Sequence, residues 1–266
     1  MSYNVRGLGS RLKRRVIREL VLQQQVELIC IQETKLETVD ASLCSQIWGD
    51  TEFEWKMVPS INRGGGILCI WKQGIFNLQE FVIGNGFLGL VGVWGDMTVS
   101  SVIVNVYSSC HIEEKRRMWE ELLDWKRRSS STIWCVGGDF NSVREEDERR
   151  GVAMGVSSQR REMFEFNNFI ESMEMLDLPL AGRKFTWCRP NGRAQSRIDR
   201  FLVSPDWIAL WPNCSVLGLN RDISDHCPLL LRSKITDWGP KPFRVMNCWF
   251  QDTRFVSFVK QAWGEN

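Results

Sequence analysis

Histidine and tyrosine are scarce in this chain: 266 residues carry two of each. Any chemistry that needs several imidazoles, such as a multi-histidine metal cage, is therefore excluded. Nine cysteines are present, but no two stand in a C-x-x-C. The odd count, with Cys30, Cys69 and Cys135 set inside apolar runs, argues against a disulfide framework or a structural zinc site and for a reducing compartment. No apolar stretch reaches the ~18 residues that cross a bilayer; Gly86–Trp94 is the nearest and is too short. Arg11, Lys13, Arg14, Arg15 and Arg18 crowd the segment where a secretory apolar region would lie. No P-loop and no G-x-S-x-G nucleophile turn occurs. No period of 20–50 residues repeats.

What is present is a balanced, folded composition. Hydrophobic residues make up 43%, charged residues 25%, and the formal net charge is +2. Disorder is excluded, while a polyanionic partner would need a local basic surface. The length permits one large α/β domain. Ser10–Gln25 is predicted as an amphipathic helix with Ser10 at its N-cap, followed by a buried strand over Val26–Gln32. Phe53–Val58, Gly66–Trp71, Phe76–Ile83, Leu88–Trp94 and Thr98–Tyr107 read as consecutive, mainly antiparallel strands, with Gly64-Gly-Gly66 as a hairpin turn. Helices are predicted over Ile112–Arg128 and Ser158–Leu176, with a strand at Thr132–Val136 between them. Lys184–Trp187, Arg197–Val203, Ser215–Leu219 and Pro228–Ser233 read as later strands. Sheets inside and helices outside follow from this order. The chain divides into a domain over 1–235 and a Pro-containing, linker-like extension over 236–266.

Polar groups cluster where apolar strands end. These places are Asn4 with Arg6, Glu33, Tyr107, Asp139 with Asn141, Asp199, and Asp225 with His226. Strand ends fix a backbone while leaving its side chain reachable. Two glycines ahead of Asp139 let the backbone turn tightly and approach a ligand. Oxygen ligands from Glu33 and Asn4 suit a hard cation, Mg²⁺ or Mn²⁺. Asp139 is placed to orient and deprotonate a water. His226 is a candidate acid, base or phosphate donor, with Asn141 and Tyr107 as further donors and Asp199 holding the imidazole.

The ordered set Asn4-Val-Arg-Gly-Leu8, Gln32-Glu-Thr-Lys35, Tyr107, Gly138-Asp-Phe-Asn141, Arg197-Ile-Asp199 and Ser224-Asp-His226 resembles the endonuclease/exonuclease/phosphatase superfamily. It looks closest to the apurinic-endonuclease-like nuclease domain of plant non-LTR (LINE-type) retrotransposons. Phe185-Thr-Trp187, Ser196–Ser204 and Gly239-Pro-Lys-Pro-Phe-Arg244 are similar to that branch, the last resembling the segment that leads toward a reverse transcriptase. The resemblance implies a four-layer α/β sandwich: two mixed sheets face to face, helices outside. It further implies a Mg²⁺-dependent endonuclease that nicks DNA and leaves a 3′-hydroxyl. Asn4 and Glu33 would bind metal. Tyr107, Asn141 and His226 would contact the scissile phosphate, Asp139 would activate water and Asp199 would support His226. Asp225 would act near the metal or the leaving group, and Thr186 and Arg6 near the DNA. A nuclear, monomeric protein with DNA as partner and no membrane follows, within or derived from a larger polyprotein. Abasic-site repair, a phosphatase of small phosphoesters and a catalytically decayed DNA-binding domain are the alternatives. In one respect the chain departs from the pattern. Only Met1-Ser2-Tyr3 precede Asn4, so the first strand is expected to be short and to hold Asn4 less firmly.

Overall fold

The computed structural model describes residues 1–62, 64–151 and 156–233, together with 254, 255, 257, 258 and 261. Two compact units are present, Met1–Lys234 and Ile235–Asn266. Most of the predicted extension over 236–266 lies outside the described residues; within it, the Phe258 amide donates to the Arg254 carbonyl at 3.0 Å.

In the first unit, β1 (Ser2–Asn4) leads through α1 (Arg11–Gln23) to β2 (Leu28–Gln32), α2 (Ala41–Trp48), β3 (Phe53–Val58) and β4 (Ile67–Lys72). Next come β5 (Phe76–Gly84), β6 (Phe87–Trp94), β7 (Ser101–Tyr107), α3 (Ile112–Arg128) and β8 (Ile133–Asp139). A 3₁₀ turn at Glu146–Glu148 precedes β9 (Arg149–Arg150), α4 (Val156–Ser172), β10 (Leu176–Asp177), β11 (Leu180–Ala181) and β12 (Trp187–Cys188). The chain continues through β13 (Gln195–Ser196), β14 (Asp199–Val203), α5 (Pro205–Leu210), β15 (Ser215–Gly218) and β16 (Leu229–Arg232).

Strand alternation sorts these elements into four layers. On β2, Leu28 and Cys30 face inward and pack with Trp71, Leu88, Ile103 and Cys135 between the two sheets. Ile29 and Ile31 face outward against Ile17 and Val21 of α1 and Ile47 of α2. On the far side, Val102, Val104, Trp134 and Val136 pack against Met118 and Leu122 of α3 and Phe166 and Phe169 of α4. Both sheets are thus covered by helices, which is why their central strands read as near-continuous apolar runs. The first sheet has the order β11-β15-β16-β1-β2-β4-β3 and the second β10-β14-β8-β7-β6-β5. β1 runs parallel to β2 and β7 to β8, while β3 with β4, β5 with β6, and β6 with β7 are antiparallel. The expected four-layer sandwich of two mixed sheets is observed. Among the described residues no helix is long and apolar enough to cross a membrane.

Several local expectations are corrected. α2 and α5 were not foreseen, although Asp40 and Ser204 each accept a helix-capping N–H, from Leu43 and Trp207. Ser10 does occupy the α1 N-cap but makes no side-chain capping bond. The helix predicted to Leu176 stops at Ser172, because Glu174 adopts φ +48° and Leu176 enters β10. Lys184–Trp187 is not a strand; only Trp187 and Cys188 pair, with Ser196 and Gln195. No dinucleotide-binding loop is expected from the sequence, and Gly84-Asn-Gly86-Phe-Leu-Gly89, which does carry the G-x-G-x-x-G spacing, spans the turn joining β5 to β6 and the start of β6.

The short first strand is not an edge. β1 sits between β2 and β16, with Asn4 opposite Gln32 and Ser2 opposite Leu229. Tyr3 is buried and its hydroxyl donates to Asp222 at 2.7 Å. Ser224 donates to the Asn4 carbonyl at 2.7 Å, fastening the last site segment to the first. These bonds hold Asn4 despite the strand's three residues.

Candidate active site

Register brings the chemistry to one end of the sandwich. In the second sheet Asp139 lies directly beside Tyr107 on parallel β7 and opposite Asp199 on antiparallel β14. In the first sheet Asn4 and Gln32 are level, so Glu33 begins one residue beyond the paired strand. The Asn4 side-chain amide then reaches across and donates to Asp139 Oδ2 at 2.9 Å, joining the two sheets at the site. Just beneath, Gln32 donates to Asn105 Oδ1 at 2.6 Å, and Asn105 donates to the Ile31 and Leu68 carbonyls at 3.3 and 3.2 Å. This buried polar cross-link between sheets was not foreseen; nothing in the local pattern distinguishes Asn105 from a solvated strand residue.

The centre of the site is a row of acid, imidazole and acid. Both Asp199 oxygens lie 3.0 Å from His226 Nδ1, and His226 Nε2 lies 3.8 Å from Asp139 Oδ2. All three residues are buried. Burial alone would neutralise the imidazole, but the charges of Asp199 and Asp139 outweigh it and raise His226 to about 9. Asp139 is raised to about 6, chiefly by burial and then by the neighbouring Asp199 charge, against the pull of His226. Its carboxylate is fixed at both ends, Oδ2 by Asn4 and Oδ1 by the Asn141 amide at 3.0 Å. The donor atoms of Asp139, Asp199 and His226 lie within 4.8 Å of one another, but with Nδ1 committed to Asp199 the arrangement suits proton handling better than a cation cage.

The other carboxylates face cations. Glu33 pairs with Lys35 at 3.0 Å and with Arg6 at 3.7 Å. Asp225 accepts from Arg6 at 2.5 Å and from the Trp187 indole at 2.9 Å. Burial works against the Asp225 charge, yet His226, Trp187 and Arg6 hold its pKa below the ordinary aspartate range. Burial pushes the Tyr107 phenol well above its usual range, and the charges of Glu33 and Asp139 push it further, so it stays a neutral donor. Arg6, Glu33, Lys35 and Asn141 are four of the seven non-glycine residues at positive φ among those described. Such strain collects where surrounding contacts impose a functional geometry.

Two sequence expectations take a different form. Thr186 is fully buried, and its hydroxyl accepts the Ile198 and Asp199 amides at 3.0 Å each. It therefore supports Asp199 rather than facing a ligand. The Gly137-Gly138 pair does not open a path to the site either. A Cβ on Gly138 would sit 2.0 Å from the Val106 carbonyl oxygen, and one on Gly137 would sit 2.5 Å from the Phe201 ring. These glycines let β8 pack between its neighbours, which aims Asp139. Sequence reasoning gave no role to Trp187 or to Ser108, whose carbonyl accepts the Asn141 side-chain amide at 2.6 Å. Trp187 stands in the quoted Phe185-Thr-Trp187 motif, but only the fold sets its indole beside Asp225.

Hard oxygen donors predominate in the cleft. Glu33, Asp139, Asp199 and Asp225 supply four carboxylates against Arg6, Lys35 and a charged His226, and Asn4 adds an amide oxygen. Such a donor set fits a divalent cation of the Mg²⁺ or Mn²⁺ kind.

Residues 1–226 match the Endonuclease/Exonuclease/phosphatase family, and the chain belongs to it. Members of this kind hydrolyse phosphoester bonds, and the buried acids and imidazole are groups suited to that work. The fold is shared with solved structures of low sequence identity. The AP endonuclease LMAP from Leishmania major aligns at TM-score 0.65 and 17% identity, over 86% of this chain and 85% of that one. A 3′ phosphatase from Neisseria bound to product DNA hairpin aligns at 0.64 and 18%, over 87% and 97%. The endonuclease domain of TRAS1, a telomere-specific non-LTR retrotransposon, aligns at 0.60 and 14%, over 86% and 95%. No curated protein matches the sequence.

Proposed function

We propose that the chain is a divalent-metal-dependent endonuclease of the LINE retrotransposon type, similar to plant ones, that nicks DNA in the nucleus and leaves a 3′-hydroxyl. The observation that carries this reading is the Asp139–His226–Asp199 row, pinned across the two sheets by Asn4.

Asp139 accepts the proton of the attacking water. Its raised pKa of about 6 makes it a stronger base than an exposed aspartate while leaving it ionised at neutral pH. Its two fixed oxygens hold that water in one direction. His226, kept charged by Asp199, donates from Nε2 toward a phosphoryl oxygen, and the Tyr107 phenol and the second N–H of the Asn141 side-chain amide, the first being on Ser108, add two further neutral donors. Each such donor contributes on the order of 10²–10³ in rate. Glu33 and Asn4 would hold Mg²⁺ or Mn²⁺, which would supply positive charge against the developing phosphoryl charge. The water oxygen joins phosphorus as its proton passes to Asp139, the P–O3′ bond breaks, and the 3′ oxygen takes a proton from bulk water and leaves as the 3′-hydroxyl.

A polymeric substrate is favoured by a basic rim that starts one residue from the site. Cys188 donates its amide to the Asp225 carbonyl, Arg221 reaches the Cys188 carbonyl at 3.3 Å, and exposed Arg189 and Arg193 extend outward. A phosphate backbone meets such a row, whereas a small phosphoester needs only the pocket. Residues 1–235 would be the nuclease unit and 236–266 the extension toward a polymerase. Rates on intact duplex, abasic duplex and an inositol phosphate test the reading. Preference for intact duplex supports it. Preference for the abasic duplex would make the chain a repair endonuclease, and preference for the inositol phosphate would overturn the DNA assignment.

A further inference from the structure

Lys115 is a buried cation that the mechanism above does not use. It lies in the first turns of α3 with 1% of its surface exposed. Its ammonium makes three bonds, to the Asn141 carbonyl at 2.6 Å, Ser142 Oγ at 2.9 Å and Glu162 Oε1 of α4 at 2.6 Å. Ser142 in turn donates to the same Glu162 oxygen at 3.0 Å, closing a triangle under the loop that follows β8. All three ammonium donors are satisfied.

Stability does not account for this lysine. Removing a cation from water is costly, and well-packed apolar residues usually do as well or better in its place. Nor is it required to dock the helices, because Arg116 already joins α3 to α4 through two bonds of 2.7 Å to Glu165. What Lys115 alone supplies is a grip on the Asn141 carbonyl. Asn141 stands at φ +49°, in the left-handed region, with its amide on Asp139 and its side chain on Ser108. Asn141 is thus held through its backbone amide, its side chain and its carbonyl, and the carbonyl is the one fixed from the helix layer.

We propose that Lys115, seated by Glu162 and Ser142, is a positioning residue that sets the Asn141 side chain toward the scissile phosphate and the Asn141 amide onto Asp139. The inference rests on the phosphodiesterase reading given above. Loss of the grip lets the Asn141 peptide relax, which misaims a donor and loosens the base together. A misplacement of about 1 Å at such a site costs on the order of a hundredfold in rate.

The test is a cycle of Lys115→Met, Asn141→Ala and the double variant, with kcat and KM on a nicked-plasmid assay. Lys115→Met should lower kcat about tenfold to a hundredfold with KM little changed, and should cost clearly less in the Asn141→Ala background, where only the hold on Asp139 through the backbone amide is left to lose. Multiplicative losses would overturn the proposal, as would a wild-type kcat for Lys115→Met. Lys115→Met strands Glu162, so Lys115→Met/Glu162→Leu provides a folded control. That variant should melt no lower than wild type yet remain slow; recovery of the full rate would reduce Lys115 to a folding role. The Asn141 side-chain amide resonance, read by NMR without substrate, should move in both variants. If wild type cleaves no phosphodiester, the functional reading fails, and an unmoved resonance is what would then sink the positioning claim.

Discussion

Asp139 and Asp225 lie in one cleft and have opposite surroundings. Asp139 has a second acid and an imidazole beside it and is nearly free of solvent, so its pKa rises to about 6. Asp225 has Arg6 and an indole on one oxygen and is held ionised below its ordinary range. Environments that drive two like groups apart assign them different work. On the proposed reading, the floor of the site, around Asp139, moves protons, and the rim, around Asp225 and Glu33, holds fixed charge and orients cations.

The contrast can be broken by removing one member at a time. Asp139→Asn should reduce nicking by about 10³-fold or more with the fold kept and the melting temperature lowered, because asparagine retains the shape but accepts only one of the two N–H bonds that the carboxylate takes. Nicking of a supercoiled plasmid beside a thermal melt checks both. Asp225→Asn should cost less, about tenfold to a hundredfold, since the floor is left intact and only fixed charge is lost. Equal losses in the two variants would erase the distinction.

The pH profile sharpens it. His226 acts as a cation with a pKa of about 9, so activity should fall as pH rises through about 9. Asp199→Asn removes the largest raising charge, and the alkaline limb should move to lower pH. The sign for stability is the same. A histidine raised above its unfolded value adds stability that is present below about 6.5 and lost as pH climbs through about 9. That slope should flatten in Asp199→Asn. Thr186→Val should cost about 1–3 kcal/mol of stability, leaving two buried amides unpaired behind Asp199, with a modest loss of rate. Ser10→Ala, at a cap that makes no bond, should change stability by no more than about 0.5 kcal/mol.

Much of this cleft was legible because each functional side chain follows an apolar strand, and a sandwich brings strand ends together. Phe53–Val58 and Ile112–Arg128 match their elements end to end, since turn glycines and a charged helix face mark them. Other features depend on what packs behind. β4 and β5 are consecutive but belong to different sheets, a break that three turn residues do not announce. Lys115 stands beside Arg116 and Arg117 in a charge-rich helix, and only the loop beneath it singles it out. Thr186 was placed toward DNA because its neighbours resemble a contact segment, while the fold turns its hydroxyl inward to Asp199. The α2 signal, Asp40 ahead and Gly49 behind, was present but brackets only eight residues.

The most direct measurement is nicking of supercoiled plasmid by the wild-type chain with Mg²⁺ and with EDTA, beside Asp139→Asn with Mg²⁺. The account predicts nicking that EDTA abolishes and that Asp139→Asn loses while remaining folded. Nicking by Asp139→Asn at the wild-type rate would contradict it.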